Sequence, residues 1–465
     1  MKISKIPVII ALSLTAVMSC AKDSYKIPVG SDYIPDTPGS NTPKAAKVEI
    51  VQADGQWKML VDGEPYYVNG AATNNFYGDV AGFGGNTIRT YSAKASDTKV
   101  MDILNEAHEN GLMVNLGIYI GRETDGFDYN NEAKVQAQLL EAEASVKKYM
   151  NHPAVLFWSI GNEAEASYKN VRLWDAINDI AKMIHETDPN HPTTTTLASA
   201  QKAHIDNILA KCPEIDFLCV NSYYPTVKNT VNTVRNAGWK KPVMITEFGP
   251  RGTWSMNPEP ERQLPWDGVS AGKPALVEET STEKEAKYLE IWQEGVKPFE
   301  AQGCLGSFVF VWGYQTHGEV LNWYGLFNKD GYSYGAADAM QYCWTGKYPE
   351  KRAPVIASRK TDMLLNGKAA EDAVKVAPNS SNTAKVIATS PCGAKLRYNW
   401  IIFREGDKSS DGSIPDGIAD LITDPSKSEI TFKAPAGVGA YRLYAFALDD
   451  ENRKAASACI PFKVE

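Results

Sequence analysis

Two glutamates, each standing where a short apolar run ends, are the residues of this 465-residue chain best placed to do chemistry. The first follows Val155-Leu156-Phe157-Trp158-Ser159-Ile160, a run expected of a parallel strand covered on both faces, after which Gly161-Asn162-Glu163 brings a flexible residue, an amide and a carboxylate. The second closes Val243-Met244-Ile245-Thr246-Glu247, with Phe248-Gly249 behind it. Cleaving a glycosidic bond with retention takes one carboxylic acid to protonate the leaving oxygen and one carboxylate to attack the anomeric carbon, the two about 5 to 5.5 Å apart. Glu163 is the expected acid/base and Glu247 the expected nucleophile. Once the nucleophile is esterified its charge is gone, so the acid parts with its proton more easily and can act as base in the second step.

Other side chains at strand ends could serve the same bond. Arg89, in Thr87-Ile88-Arg89-Thr90-Tyr91, could hydrogen-bond Glu247 and keep it ionised. Asn162 could bind a sugar 2-hydroxyl, Tyr223 could donate to the nucleophile, and Trp312 offers a flat apolar face for a pyranose ring. The aperiodic stretch 250–279 directly after the nucleophile is long enough to be a cleft wall, with Trp254 and Trp266 as sugar platforms. Tyr314, His317, Trp323 and Tyr324 could line the opposite side, His317 as a hydrogen-bonding surface residue and not a catalyst. Each of these alone could equally be structural, as an ion pair, a loop cap or core filling.

The elements that must position these groups follow a strand-then-helix rhythm. Strands are expected at 66–72, 86–91, 113–119, 155–160, 193–197, 216–221, 243–246 and 306–311, with helices at 97–110, 131–150, 170–186, 203–211, 226–237, 282–301 and 335–343. Eight strands in such alternation predict a (β/α)8 TIM barrel, whose chemistry sits at the C-terminal ends of its strands. An open doubly wound sheet fits less well, because the glycine-rich phosphate turn of such sheets is missing. Ahead of the barrel, 48–61 alternates apolar and polar around Ala53-Asp54-Gly55, a hairpin expected to form a lid or floor. Behind it, strand-like runs at 373–376, 384–389, 396–404, 429–433, 440–448 and 456–464 predict a smaller all-β immunoglobulin-like sandwich, Tyr398-Asn399-Trp400 supplying its buried aromatic. The expected division is a lipoprotein signal and lipidation cysteine at 1–20, a flexible tether at 21–47, the catalytic barrel with its hairpin at 48–348, and the sandwich at 355–465.

Composition narrows the partner. At 43% hydrophobic and 22% charged the chain is globular, and a net charge of −8 excludes a nucleic-acid surface while suiting an uncharged polymer. The seven cysteines form no CxxC pair and no metal-ligand spacing, so neither metal nor cofactor is expected. Cys212, Cys219, Cys304 and Cys343 read as buried free thiols. Cys20 is different: a basic start at 1–5, an apolar run at 6–17 and then Val17-Met18-Ser19-Cys20 resemble a bacterial lipoprotein signal, which implies lipidation of Cys20. No later run reaches the roughly 20 apolar residues of a membrane span, so a lipid anchor is the expected membrane contact.

The Gly-Asn-Glu ending at Glu163 and the Thr-Glu-Phe-Gly around Glu247 resemble clan A glycoside hydrolases, and Asn86-Thr87-Ile88-Arg89-Thr90-Tyr91 is similar to the second strand of the family 2 barrel. The resemblance covers about 66–344 and implies retaining hydrolysis of a β-linked glycan. It makes Glu163 the acid/base and Glu247 the nucleophile, with Arg89, Asn162, Tyr223 and Trp312 at matching strand ends. Family 2 enzymes carry sandwich domains before the barrel, whereas here only a hairpin precedes it. That layout is more similar to family 158 endo-β-1,3-glucanases of gut bacteria, so the expectation is an endo-β-1,3-glucanase anchored at the bacterial cell envelope, on the outer membrane. A transglycosylase, a β-glycosidase for galactosides or mannosides, and a non-catalytic surface glycan-binding protein are the alternatives.

Overall fold

The computed structural model describes residues 44–53, 55–73, 75–314, 323–407 and 415–465; the signal segment, Cys20, most of the tether and His317 lie outside the described residues. Eight parallel strands close into a barrel: in chain order Val68–Thr73, Thr87–Arg89, Met113–Ile118, Val155–Asn162, Thr193–Leu197, Phe217–Asn221, Val243–Phe248 and Cys304–Trp312, the last pairing with the first. These are the eight strands expected from the sequence, with no end shifted by more than two residues.

An apolar column runs inside the barrel, beside buried polar side chains such as Arg89, Asn115 and Thr246. Phe157 meets Phe217 edge-to-face at 5.0 Å, and Val68, Met244 and Phe308 belong to the same cluster. Gly70 makes room for it, since a Cβ there would lie 2.4 Å from the Phe308 ring. Outside the strands, Trp158 and Ile160 pack with Trp174, Ile177 and Ile180 of the helix Arg172–Thr187, whose apolar residues recur at helical spacing. The expected hairpin is a three-stranded antiparallel sheet, Val48–Ala53, Gln56–Val61 and Glu64–Tyr66. It is a floor, for Val48 and Met59 are buried in the interior column.

Several elements differ from expectation for local reasons. A six-residue helix, Tyr77–Gly82, follows the first strand; with only Tyr77 and Val80 buried it is too short to show a period. The expected helix at 282–301 is helical only over Ser281–Ile291, started by a Thr280–Glu283 capping box, and then loosens through Trp292–Val296 into a tighter turn over Lys297–Gln302. Pro298 in that turn has no N–H to continue an α-helix.

The stretch 250–279, after the strand that ends in Glu247, has regular structure of its own. It contains an antiparallel pair, Gln263–Asp267 with Pro274–Leu276, and Leu264, Trp266, Ala275 and Val277 share a core with Ile356, Trp400 and Ile460 from beyond the barrel. Trp266 is therefore no sugar platform: at 8% exposure it fills that core, because alternation along Gln263–Asp267 sends it to the same face as Leu264. Beyond the barrel stand two sheets, one of Met363–Leu365, Ser381–Val386 and Glu429–Lys433, the other of Lys375–Val376, Lys454–Val464, Gly439–Asp449 and Arg397–Arg404. Their inner faces make one core around Trp400, whose Nε1 donates to the Lys427 carbonyl at 2.7 Å. Gly439–Asp449 and Lys454–Val464 are buried almost throughout, since their second face lies on the barrel's helices, where Lys454 pairs with Asp338 and the Ser457 N–H donates to Ser281.

Replacing Met59 by Ala should lower the unfolding free energy by about 2 to 5 kcal/mol through the cavity left in the floor. A urea titration with an unchanged midpoint would show that the floor contributes nothing to the barrel.

Candidate active site

The end of the fourth strand sets the geometry. Gly161 has φ +75° and stands so close to Ile120 that a Cβ would lie 2.7 Å from it, so glycine is required there. Two residues on, Glu163 itself has φ +53°, a left-handed conformation costing about 1 to 3 kcal/mol and held here by its N–H donating to the Thr196 carbonyl at 2.9 Å. The strain turns the chain out of the strand at the position where its carboxylate enters the mouth of the barrel.

Arg89 organises what faces that mouth. Its Nη1 donates to Glu247 Oε1 at 2.9 Å, to the Thr246 carbonyl at 2.8 Å and to Asn221 Oδ1 at 3.2 Å, while Nη2 donates to Asn162 Oδ1 at 2.7 Å. Asn221 then reaches the other carboxylate: its Nδ2 donates to Glu163 Oε1 at 2.7 Å and to Asn162 Oδ1 at 3.1 Å. Tyr223 donates to the second oxygen of Glu247 at 2.6 Å. Asn162 has thus spent its carbonyl on the protein, and its Nδ2 has no acceptor among the described residues.

Electrostatics separate the members of this network. Burial raises the Glu247 carboxyl above its ordinary range; Arg89 pulls it back down, the Glu163 charge adds to the rise, and the Tyr223 hydrogen bond lowers it. Burial also works against the Arg89 charge, but Tyr91 and Glu247 outweigh it and hold the guanidinium protonated. Tyr223 is pushed well above the usual phenol value by burial and by Glu247, so it stays a donor.

Both carboxylates open on one cleft of about 650 Å³, lined also by Tyr91, Tyr223, Trp254 and Phe310. Among the described residues the lining includes no Lys or Arg, and its charged groups are the two glutamates. Trp254 is 62% exposed, stands edge-on to Tyr223 at 5.3 Å, and forms one wall of the cleft. Trp312 is a correction to the sequence reading: it is fully buried, donates from Nε1 to the Phe76 carbonyl at 3.2 Å, and packs on Phe83, Phe327 and Trp344. The register of the eighth strand on the first shifts between Phe310 and Trp312, which breaks the alternation and leaves Phe310 facing the cleft instead. Trp323 and Tyr324 are buried behind the wall, Trp323 donating to the Arg251 carbonyl at 2.8 Å and Tyr324 packing on Tyr223. Tyr314 lies edge-on to Phe76 at 6.0 Å. Asn221 and Phe310 were not singled out from sequence; the signal that could have found them is their place at the ends of the sixth and eighth strands. Among the described residues no group of three or more His, Cys, Asp or Glu side chains could hold a metal ion.

Residues 95–256 match the family model for glycosyl hydrolases family 2, TIM barrel domain. The chain is 27% identical to the beta-glucuronidase of Felis catus over 182 residues, 36% of this chain and 26% of that one. To the beta-glucuronidase of Homo sapiens it is 24% identical over 181 residues, again 36% of this chain and 26% of the relative. It spans about a quarter of the length of these curated relatives. Among solved structures, a Bacteroides uniformis beta-glucuronidase aligns with 90% of this chain and 48% of its own, at a TM-score of 0.48 and 14% identity. A putative beta-galactosidase from Bacteroides fragilis aligns with 90% and 58%, at a TM-score of 0.45 and 15% identity.

The two tryptophans should separate in stability. Trp312→Ala should cost about 3 to 5 kcal/mol, whereas Trp254→Ala should stay within about 0.5 kcal/mol of the parent. Thermal melts in the reverse order would mean that Trp312, and not Trp254, stands at the surface.

Proposed function

We propose that this chain, whose barrel is of the clan A glycoside hydrolase, family 2 type, is a retaining β-glycoside hydrolase acting on a neutral glycan. The observation that carries the reading is the joining of Glu163 and Glu247 through Asn221 and Arg89 on the wall of a single cleft. In the first step Glu247, deprotonated, attacks the anomeric carbon while Glu163 gives its proton to the glycosidic oxygen, which departs with the bonding pair. Arg89 and Tyr223 aim the nucleophile and favour its ionised form against the cost of burial. With Glu247 esterified, Glu163 takes a proton from water, and the water oxygen displaces Glu247 at the same carbon. The free Nδ2 of Asn162 suits a sugar hydroxyl beside that carbon, and the exposed indole of Trp254 suits a ring face.

Among the described residues the cleft lining carries no Lys or Arg, and Arg89 behind it is already paired with Glu247, which favours a neutral sugar over a uronate. On linkage, the resemblance to family 158 endo-β-1,3-glucanases makes β-1,3-glucan, cut within the chain, the first substrate to try. A β-glucuronide or β-galactoside is the second reading, favoured by the names of the relatives. Digestion of laminarin, mixed-linkage glucan, mannan and galactan, together with nitrophenyl β-glucuronide, decides between them by product sizing. Release of nitrophenol from the glucuronide alone would reject the neutral-glycan reading.

Glu247→Ala should lose turnover and recover part of it with added azide, forming a glycosyl azide of inverted configuration. An inverted azide product from Glu163→Ala instead would exchange the two roles. The same proposal places the enzyme on a membrane through Cys20, so Cys20→Ala should move it from the membrane to the soluble fraction of a cell lysate; an unchanged distribution would remove the anchor.

A further inference from the structure

Beside the cleft lies a second cavity of about 390 Å³, lined by Glu165, Ser167, Tyr168, Gln201 and His204, which shares the Ala198 and Ser199 wall with the first. The mechanism above uses none of these side chains. Glu165 is 2% exposed and accepts the Ala198 N–H on Oε1 at 2.6 Å. His204 Nδ1 is buried without a hydrogen-bond partner among the described residues, 3.8 Å from that same oxygen. Its ring is held edge-on by Tyr168 at 5.6 Å, and Tyr168 is held in turn by Trp174 and by an Asn207 hydrogen bond at 2.9 Å. A polar pair is thus kept in a cavity that shares part of its wall with the cleft, at the cost of leaving one buried nitrogen unsatisfied.

We propose that this cavity is a sugar subsite for the leaving-group arm of the substrate, with Glu165 and His204 binding hydroxyls of a neutral pyranose. The inference rests on the hydrolase reading, because that reading fixes the direction: the acid protonates the leaving oxygen, so the departing chain lies on the Glu163 side. Glu165 is two residues beyond Glu163, and Ser199 belongs to both cavities, so a glycan leaving the first passes over Ser199 into the second. The charge state suits hydroxyls. Burial pushes the Glu165 carboxyl up to about 7 against the Ala198 hydrogen bond, and burial lowers His204, so near neutrality the pair can both donate and accept without a fixed charge. A substrate filling both cavities has at least one sugar on each side of the cleaved bond, so the enzyme works on oligosaccharides or within chains.

The test takes the glycan cleaved in the panel above and compares kcat/KM for its pentasaccharide with kcat/KM for its nitrophenyl glycoside, in the parent, His204→Ala and Glu165→Gln. The ratio of the two constants is independent of the folded fraction, so a poorly folding variant is still informative. The pentasaccharide-to-nitrophenyl ratio should fall about tenfold in His204→Ala and severalfold in Glu165→Gln, as expected for a lost hydrogen bond to a sugar hydroxyl. If Glu165 only supports the backbone beside Glu163, both substrates suffer alike and the ratio stays constant, which overturns the subsite and leaves the hydrolase. If the parent cleaves nothing in the panel, the hydrolase reading fails and the subsite with it.

Discussion

The Arg89–Glu247 pair is the constraint on which the site depends. Both side chains are almost wholly removed from water, a position costing several kcal/mol for each ion unless geometry and further hydrogen bonds offset it. Arg89 meets that condition by engaging strands four, six and seven at once, through Asn162, Asn221 and the Thr246 carbonyl. The same bonds carry position as well as charge. The orientation of the Glu247 carboxylate, the Asn162 amide and, through Asn221, the Glu163 carboxylate are all referred to one planar guanidinium.

The cleft wall has a different support. The chain leaves the nucleophile strand, exposes Trp254, and then buries Leu264 and Trp266 in the core of the two-sheet module before returning to the barrel. Around that return lie buried polar contacts between the two parts: Lys284 and Tyr444 both engage Glu278, and Arg442, paired with Glu405, donates to the Leu276 carbonyl at 2.9 Å. Such groups are costly to bury and poor at stabilising, but their directionality fixes how the two bodies meet. The module beyond the barrel therefore helps to shape the cleft wall by holding the C-terminal part of the segment that carries it.

The strained conformation at Glu163 belongs to the same logic. A left-handed φ on a glutamate is retained where the surroundings over-determine it, and here a glycine before it, the Thr196 carbonyl and the Asn221 amide all do so. The sharp turn also separates Glu163 from Glu165, so that carboxylates two residues apart serve neighbouring cavities.

Much of this was legible from residues alone. Eight apolar runs, separated by helical periods, determine a closed parallel barrel because every such strand must be covered on both faces, and strand ends are where polar residues can face a mouth. Glu163, Glu247, Arg89, Asn162 and Tyr223 stood out because charged or polar groups directly after such runs have no packing reason to be there. What a linear string cannot carry is sidedness. Whether Trp312 or Phe310 faces the sugar depends on a register shift against a strand more than 200 positions away, and Trp266 was claimed by a core built from the last hundred residues. Asn221, unremarkable in sequence, became the bridge between the two carboxylates only when the closed barrel set strand six beside strand seven. Residue type and periodicity are local and can be read one position at a time; a hydrogen bond between distant strands exists only after tertiary closure has selected which neighbours meet.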